Sequence, residues 1–136
     1  MYKEKIKCLN LIGDNEEDLR VISAYLQDSI VVMKDMVFLK KNKSFVMMVN
    51  RFMWEDVENG FLRSNKRVRS AVRFEGVIQV KSKNIIQKNK NKILEYLAMK
   101  CDSDENGNKK IKIFFSGKGM IVLISEAIDV VMNDLG

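Results

Sequence analysis

Between Ser44 and Trp54 the chain reads Ser-Phe-Val-Met-Met-Val-Asn-Arg-Phe-Met-Trp, with apolar residues in both alternating registers. Phe45, Met47, Val49 and Met53 fall on one side of an extended chain, and Val46, Met48, Phe52 and Trp54 on the other. A strand that is apolar on both faces belongs in the middle of a covered sheet. The flanking sequence must therefore supply further strands. Only Asn50 and Arg51 interrupt the run, one on each face.

Those strands can be read. From Lys66 to Ser82 alternation is strict: Val68, Val72, Phe74, Ile78 and Val80 share one face, and Arg67, Arg69, Arg73, Glu75, Gln79 and Lys81 share the other. Gly76 in mid-run bends or splits that strand. Ile6–Ile12 reads as a first strand ended by Gly13. Ser29–Met33 and Val37–Lys40 read as strands parted by a Lys34-Asp35 turn, with Lys41-Asn42-Lys43 as the next turn. Ile93–Cys101 reads best as a strand, with a helix as the alternative over residues 93–99. Lys110–Phe115 and Met120–Ile124 form a hairpin across Ser116-Gly117-Lys118-Gly119. Glu55 to Asn65 is a polar connection, and Asn84–Lys92 is a basic loop or a short helical turn. Two helices complete the pattern. The first follows Asp14, placed to cap it with Glu17 at capping-box spacing, and carries Leu19, Ile22 and Leu26 on one stripe. The second starts after Ser125 and carries Ile128, Val131 and Leu135.

The expected fold is thus α+β: seven or eight mostly antiparallel strands with one helix near each end, an order comparable to a pleckstrin-homology-like roll. A chain of 136 residues suits one domain and buries enough surface to fold without metal or disulfide. No apolar run approaches the ~18 residues that cross a bilayer. The N-terminus lacks the apolar segment of a signal peptide, so a cytoplasmic location is expected. Cys8 and Cys101 have no CxxC spacing and read as free thiols.

Catalytic equipment is sparse. Histidine is absent, which removes Ser-His and Cys-His pairs and the commonest metal ligand. Asp102-Ser103-Asp104-Glu105-Asn106-Gly107 opens like a calcium loop, but its twelfth position is Ile113 instead of Glu, and Asn106-Gly107 is itself a hairpin turn. Gly117-Lys118-Gly119 lacks the first glycine and the Ser or Thr of a phosphate loop. No catalytic residue, metal or cofactor is expected.

Charge is the most suggestive feature. Arg63, Lys66, Arg67, Arg69, Arg73, Lys81, Lys83, Lys88, Lys90 and Lys92 face only Glu75, a local net charge of +9 in a chain of +6. Residues two apart on a strand face stand ~7 Å from one another, so Arg67, Arg69, Arg73 and Lys81 are expected to form a cationic row, thickened by Lys66, Lys83, Lys88, Lys90 and Lys92. Such a row can neutralise successive phosphates. Exposed aromatics for base stacking are missing from it, since Phe74 alternates inward. A second cluster, Asn50, Arg51, Trp54 and Glu55, offers an arginine fork to a small anion; its structural reading pairs Arg51 with Glu55 or Asp56.

Several segments together match a known family in order along the chain: Glu17-Asp18-Leu19 with Val21–Asp28, Asn50–Glu55, Phe74–Lys83 and the tail Asp134-Leu135-Gly136. On these the chain resembles an uncharacterised alphaproteobacterial family, domain of unknown function 2948. The resemblance implies a bacterial cytoplasmic protein and no particular reaction, substrate or cofactor. It draws attention to Gln27, Asp28, Asn50, Arg51, Trp54 and Glu55. Three functions remain open: a non-catalytic binding or adaptor module whose basic face engages an acidic protein or nucleic acid, a binder or enzyme for a small anion at Asn50 and Arg51, and a structural homo-oligomer.

Overall fold

The computed structural model describes residues 8–53, 67–85 and 88–135. Trp54, Glu55, Arg63 and Lys66 lie outside the described residues, as does the connection expected at 55–65. The described chain runs β1 (Asn10–Gly13), α1 (Glu16–Leu26), β2 (Ile30–Leu39), β3 (Ser44–Phe52), β4 (Arg67–Glu75), β5 (Val77–Lys83), β6 (Ile93–Ser103), β7 (Lys109–Phe115), β8 (Met120–Ser125) and β9 (Val130–Asp134). These nine strands form one antiparallel sheet in the order β1-β9-β4-β3-β2-β6-β7-β8-β5. The doubly apolar run is β3, paired along its length with β4 and over both ends with β2. Its inward residues are fully buried, whereas Val46, Met48, Asn50 and Phe52 are only half-buried.

The sheet turns back on itself at one corner. Gly76 takes φ of +77°, a left-handed conformation open to glycine, and sends the chain from β4 into β5. Beside it, residues 126–129 carry the chain from β8 into β9. Backbone bonds from Glu75 N to the Asp129 carbonyl (2.8 Å) and from Glu126 N to the Gly76 carbonyl (2.9 Å) tie the two crossings together. Val77 N reaches the carbonyl of Lys43 at 2.8 Å, which brings the outermost strand β5 against the start of β3.

The faces turned inward by this bend make the core. Met47, Val49, Val72, Phe74, Val130 and Met132 come from one half, and Tyr96, Ile111, Ile113, Phe115 and Leu123 from the other. Helix α1 lays Leu19, Ile22 and Leu26 onto them. Rings meet at Phe45–Phe74 (6.3 Å) and edge-on at Tyr96–Phe115 (6.4 Å). Truncating Phe74 or Phe115 to Ala costs about 3–5 kcal/mol at sites packed this closely. No helix among the described residues is long and apolar enough to cross a membrane.

Several expectations need correction. The second helix is strand β9: Val130 and Met132 alternate inward and pair with β4 and β1. The chain therefore has one helix and nine strands among its described residues, not two helices and seven or eight strands. The pleckstrin-homology comparison loses the C-terminal helix on which it rested. Lys34-Asp35 is not a turn; β2 runs through it with a register shift between Val31 and Met36. The helix cap is Asn15, whose side chain accepts from Asp18 N at 2.8 Å, in place of Asp14. Ile78 points outward because a bulge between Val77 and Gln79 inserts it as an extra residue. The N-terminal helix, the β6–β7 turn at Asn106-Gly107 and the β7–β8 hairpin stand as read.

Candidate functional site

Adjacent residues of a strand project to opposite faces, which separates Asn50 from Arg51. Arg51 points into the core and is completely buried. Its Nε and Nη2 donate to the two carboxylate oxygens of Asp134, at 2.8 and 2.6 Å. Its guanidinium carbon also stands 5.9 Å from the ring centre of Tyr25. Asp134 accepts further from the Ser70 hydroxyl and from Leu9 N (2.9 Å). Burial pushes its carboxyl up, but the hydrogen bonds from Arg51, Ser70 and Leu9 with the Arg51 charge outweigh that and hold it below the usual range. The arginine fork thus clasps strand β9. Asn50 faces outward beside Arg69 and Ile30, and its carbonyl accepts from Arg67 (3.2 Å). The two residues do not converge on one ligand. Gln27 is the C-cap of α1. Asp28 takes φ of +63° and accepts through its carbonyl from Arg67 (3.0 Å).

The expected cationic row is divided at Gly76. Arg67, Arg69 and Arg73 lie exposed on the outer face of β4, and each has a local partner. Arg67 donates to those two carbonyls, Arg69 meets Asp35 (3.4 Å) and Arg73 meets Glu75 (3.1 Å). Lys81 and Lys83 belong to β5, at the other end of the strand order.

There they join lysines from β6 and β7. Register sets Lys100, Lys112, Val122 and Lys81 side by side across β6-β7-β8-β5. The row on one side holds Asp102, Lys110, Ile124 and Gln79; the row on the other holds Ala98, Phe114, Met120 and Lys83. The outer face of this half is an apolar strip, Met120-Val122-Ile124, between two lysine-bearing strands. Among the described residues only Lys112 of these lysines forms an ion pair, with Asp102 at 3.7 Å. Asp104 and Glu105, on the β6–β7 turn, border the face at its Lys110 end. Lys100, Lys110 and Lys112 were missed from sequence because they lie outside the +9 stretch; only cross-strand register brings them beside Lys81.

The other perturbed groups are structural. Burial pushes the Tyr96 hydroxyl far up, opposed by its hydrogen bond with Ser23 (2.7 Å). Burial and then the charge of Glu16 push the Cys101 thiol up, with Lys109 opposing and Asp102 adding, so it is not an activated thiolate. Among the described residues no three His, Cys, Asp or Glu side chains converge as a metal site.

No curated protein and no solved structure matches the chain. A family model does, over residues 9–136, which takes in every described strand and the helix. The chain belongs to the family of proteins of unknown function DUF2948.

Proposed function

We propose that the protein is a non-catalytic cytoplasmic binding module whose basic face engages an acidic macromolecule. One observation carries this reading. Five lysines, Lys81, Lys83, Lys100, Lys110 and Lys112, share the outer face of β6-β7-β8-β5, and only one of them is engaged by a carboxylate among the described residues. Strands stand ~4.8 Å apart and same-face residues ~7 Å apart, so these ammonium groups sample neighbouring positions along an extended polyanion. Lysine is a hydrated point charge on a flexible stem, suited to such contacts without fixed geometry. The small-anion alternative at Asn50 and Arg51 is disfavoured, because the fork of Arg51 is occupied by Asp134.

Fluorescence anisotropy with labelled oligonucleotides and with polyglutamate tests the reading. If about four lysines neutralise phosphates, single-strand affinity falls roughly fifty-fold between 50 and 200 mM salt. Absent or salt-independent binding to every polyanion would remove it.

A specific observation favours a second reading, the homo-oligomer. On the opposite half, Ile12, Val131, Arg73, Val46 and Val37 form one row across β1-β9-β4-β3-β2, with Ile12 77% exposed. Light scattering across a concentration series decides it, and a constant monomer mass would discard it.

A further inference from the structure

The lysine face is not uniform along its length. Toward the β6–β7 turn it meets Asp102, Asp104 and Glu105. At the β7–β8 hairpin end it opens into a cavity of about 430 Å³, lined by Lys83, Asn84, Leu97, Phe114, Lys118 and Met120. Among the described residues no carboxylate lines it. We propose that this cavity is a base-stacking slot, and that the acidic macromolecule is single-stranded nucleic acid. The inference rests on the binding-module reading and adds the partner class.

Three features build the slot. The first is its floor. Phe114 is half-buried on the outer face, directly opposite Met120 on β8 and Ala98 on β6. A bulge between Tyr96 and Ala98 inserts Leu97 as an extra residue, 45% exposed, beside that ring. Phe114 supplies the aromatic platform that the basic stretch of the sequence lacks.

The second is the rim. Lys83, at the end of β5, and Lys118, in the β7–β8 hairpin, both line the cavity beside its apolar residues, where phosphates next to a stacked base would pass. Single-strand binders combine this pairing of aromatic plane and tracking charge. A duplex keeps its bases stacked on one another and offers no free face to the ring.

The third is backbone conformation. Asn84 (φ +59°) and Lys118 (φ +65°) are two of the four non-glycine residues with left-handed backbone among the described residues. Both line this cavity, and the Asn84 side-chain amide donates to the Lys118 carbonyl at 3.1 Å. Asn tolerates this conformation, but for Lys it is disfavoured, and such residues persist where the surroundings hold them. The bond fastens the end of β5, which carries Lys83, to the hairpin that carries Lys118. An acidic protein would use the lysines but has no need of an open aromatic floor.

The test compares an oligonucleotide with an abasic strand of the same length and charge, and with a duplex and polyglutamate, at one salt concentration. The intact strand is expected to bind about ten-fold more tightly than the abasic one, within the range of one stacked base. Phe114→Leu should erase that preference and leave affinity for the abasic strand unchanged. The exposed Leu97→Asn should weaken the preference without touching the fold. Lys83→Gln with Lys118→Gln should weaken intact and abasic strands alike. Equal binding of intact and abasic strands by the unaltered protein overturns the slot while leaving the polyanion reading standing, as does an undiminished preference in Phe114→Leu. Binding of polyglutamate but not of the oligonucleotide overturns it in favour of an acidic protein. Binding of none of them overturns the underlying reading as well.

Discussion

The two halves of the sheet carry their positive charge in different ways. Around β3, β4 and β9 it is arginine, and every arginine there has a partner: Arg51 grips Asp134, Arg67 holds two carbonyls, Arg69 meets Asp35 and Arg73 meets Glu75. Around β5, β6 and β7 it is lysine, with one ion pair among the described residues, at 3.7 Å. A planar guanidinium is well matched to fixed, bidentate partners, and an ammonium on a flexible stem is not. Charge that stabilises the fold and charge that is left for an outside partner have thus been sorted onto different strands. Net charge by segment, which joins Arg67 to Lys83 in one +9 stretch, does not distinguish the two.

Stability measurements can break this contrast, beginning with the largest effect. Arg51→Met leaves Asp134 buried without its cation and should cost about 3–5 kcal/mol, read as a shift in urea midpoint. A loss under 1 kcal/mol would mean that the clasp on β9 is not needed. Acid should act through the same pair. Asp134 has a lowered value in the folded protein, so the unfolded state binds more protons as pH falls. Its contribution is fully present above the ordinary carboxylate value of about 3.9 and is lost as pH drops through the folded value. Asp134→Asn should flatten that acid limb of the stability curve. Arg69→Gln and Arg73→Gln break half-exposed pairs and should each cost less than about 1 kcal/mol. Replacing Lys81, Lys83, Lys110 and Lys112 together by Gln should leave the urea midpoint nearly unchanged while removing salt-dependent binding. A substantial loss of stability in that variant would erase the distinction between the halves.

The sequence was legible where pattern and structure obey local rules. The β3 alternation, the stripe of α1 and the Asn106-Gly107 turn each follow from neighbours within a few positions. Strand β9 did not, because Ile128, Val131 and Leu135 fit a helical stripe as well as Val130 and Met132 fit a strand. Pairing with β4 and β1 decides between them, and that pairing is non-local. Asp134 was therefore unreadable as the partner of Arg51. The two bulges had the same effect on a smaller scale. Leu97 and Ile78 reach the outer face because one residue is inserted against a partner strand, and no periodicity announces an insertion. For the candidate face, Lys81 and Lys83 were found by counting charge, whereas Lys100, Lys112 and Phe114 became neighbours only through register.

The clasp between Arg51 and Asp134 spans 83 positions of sequence. During synthesis β3 emerges long before β9, the strand that later slots in beside β1 and β4. Until then the guanidinium has no Asp134 carboxylate, and β4 lacks its second neighbour. Folding of this half is therefore bound to the late arrival of one short strand. Chains cut short upstream of it would present an unpaired edge on β4 and a buried guanidinium without its carboxylate.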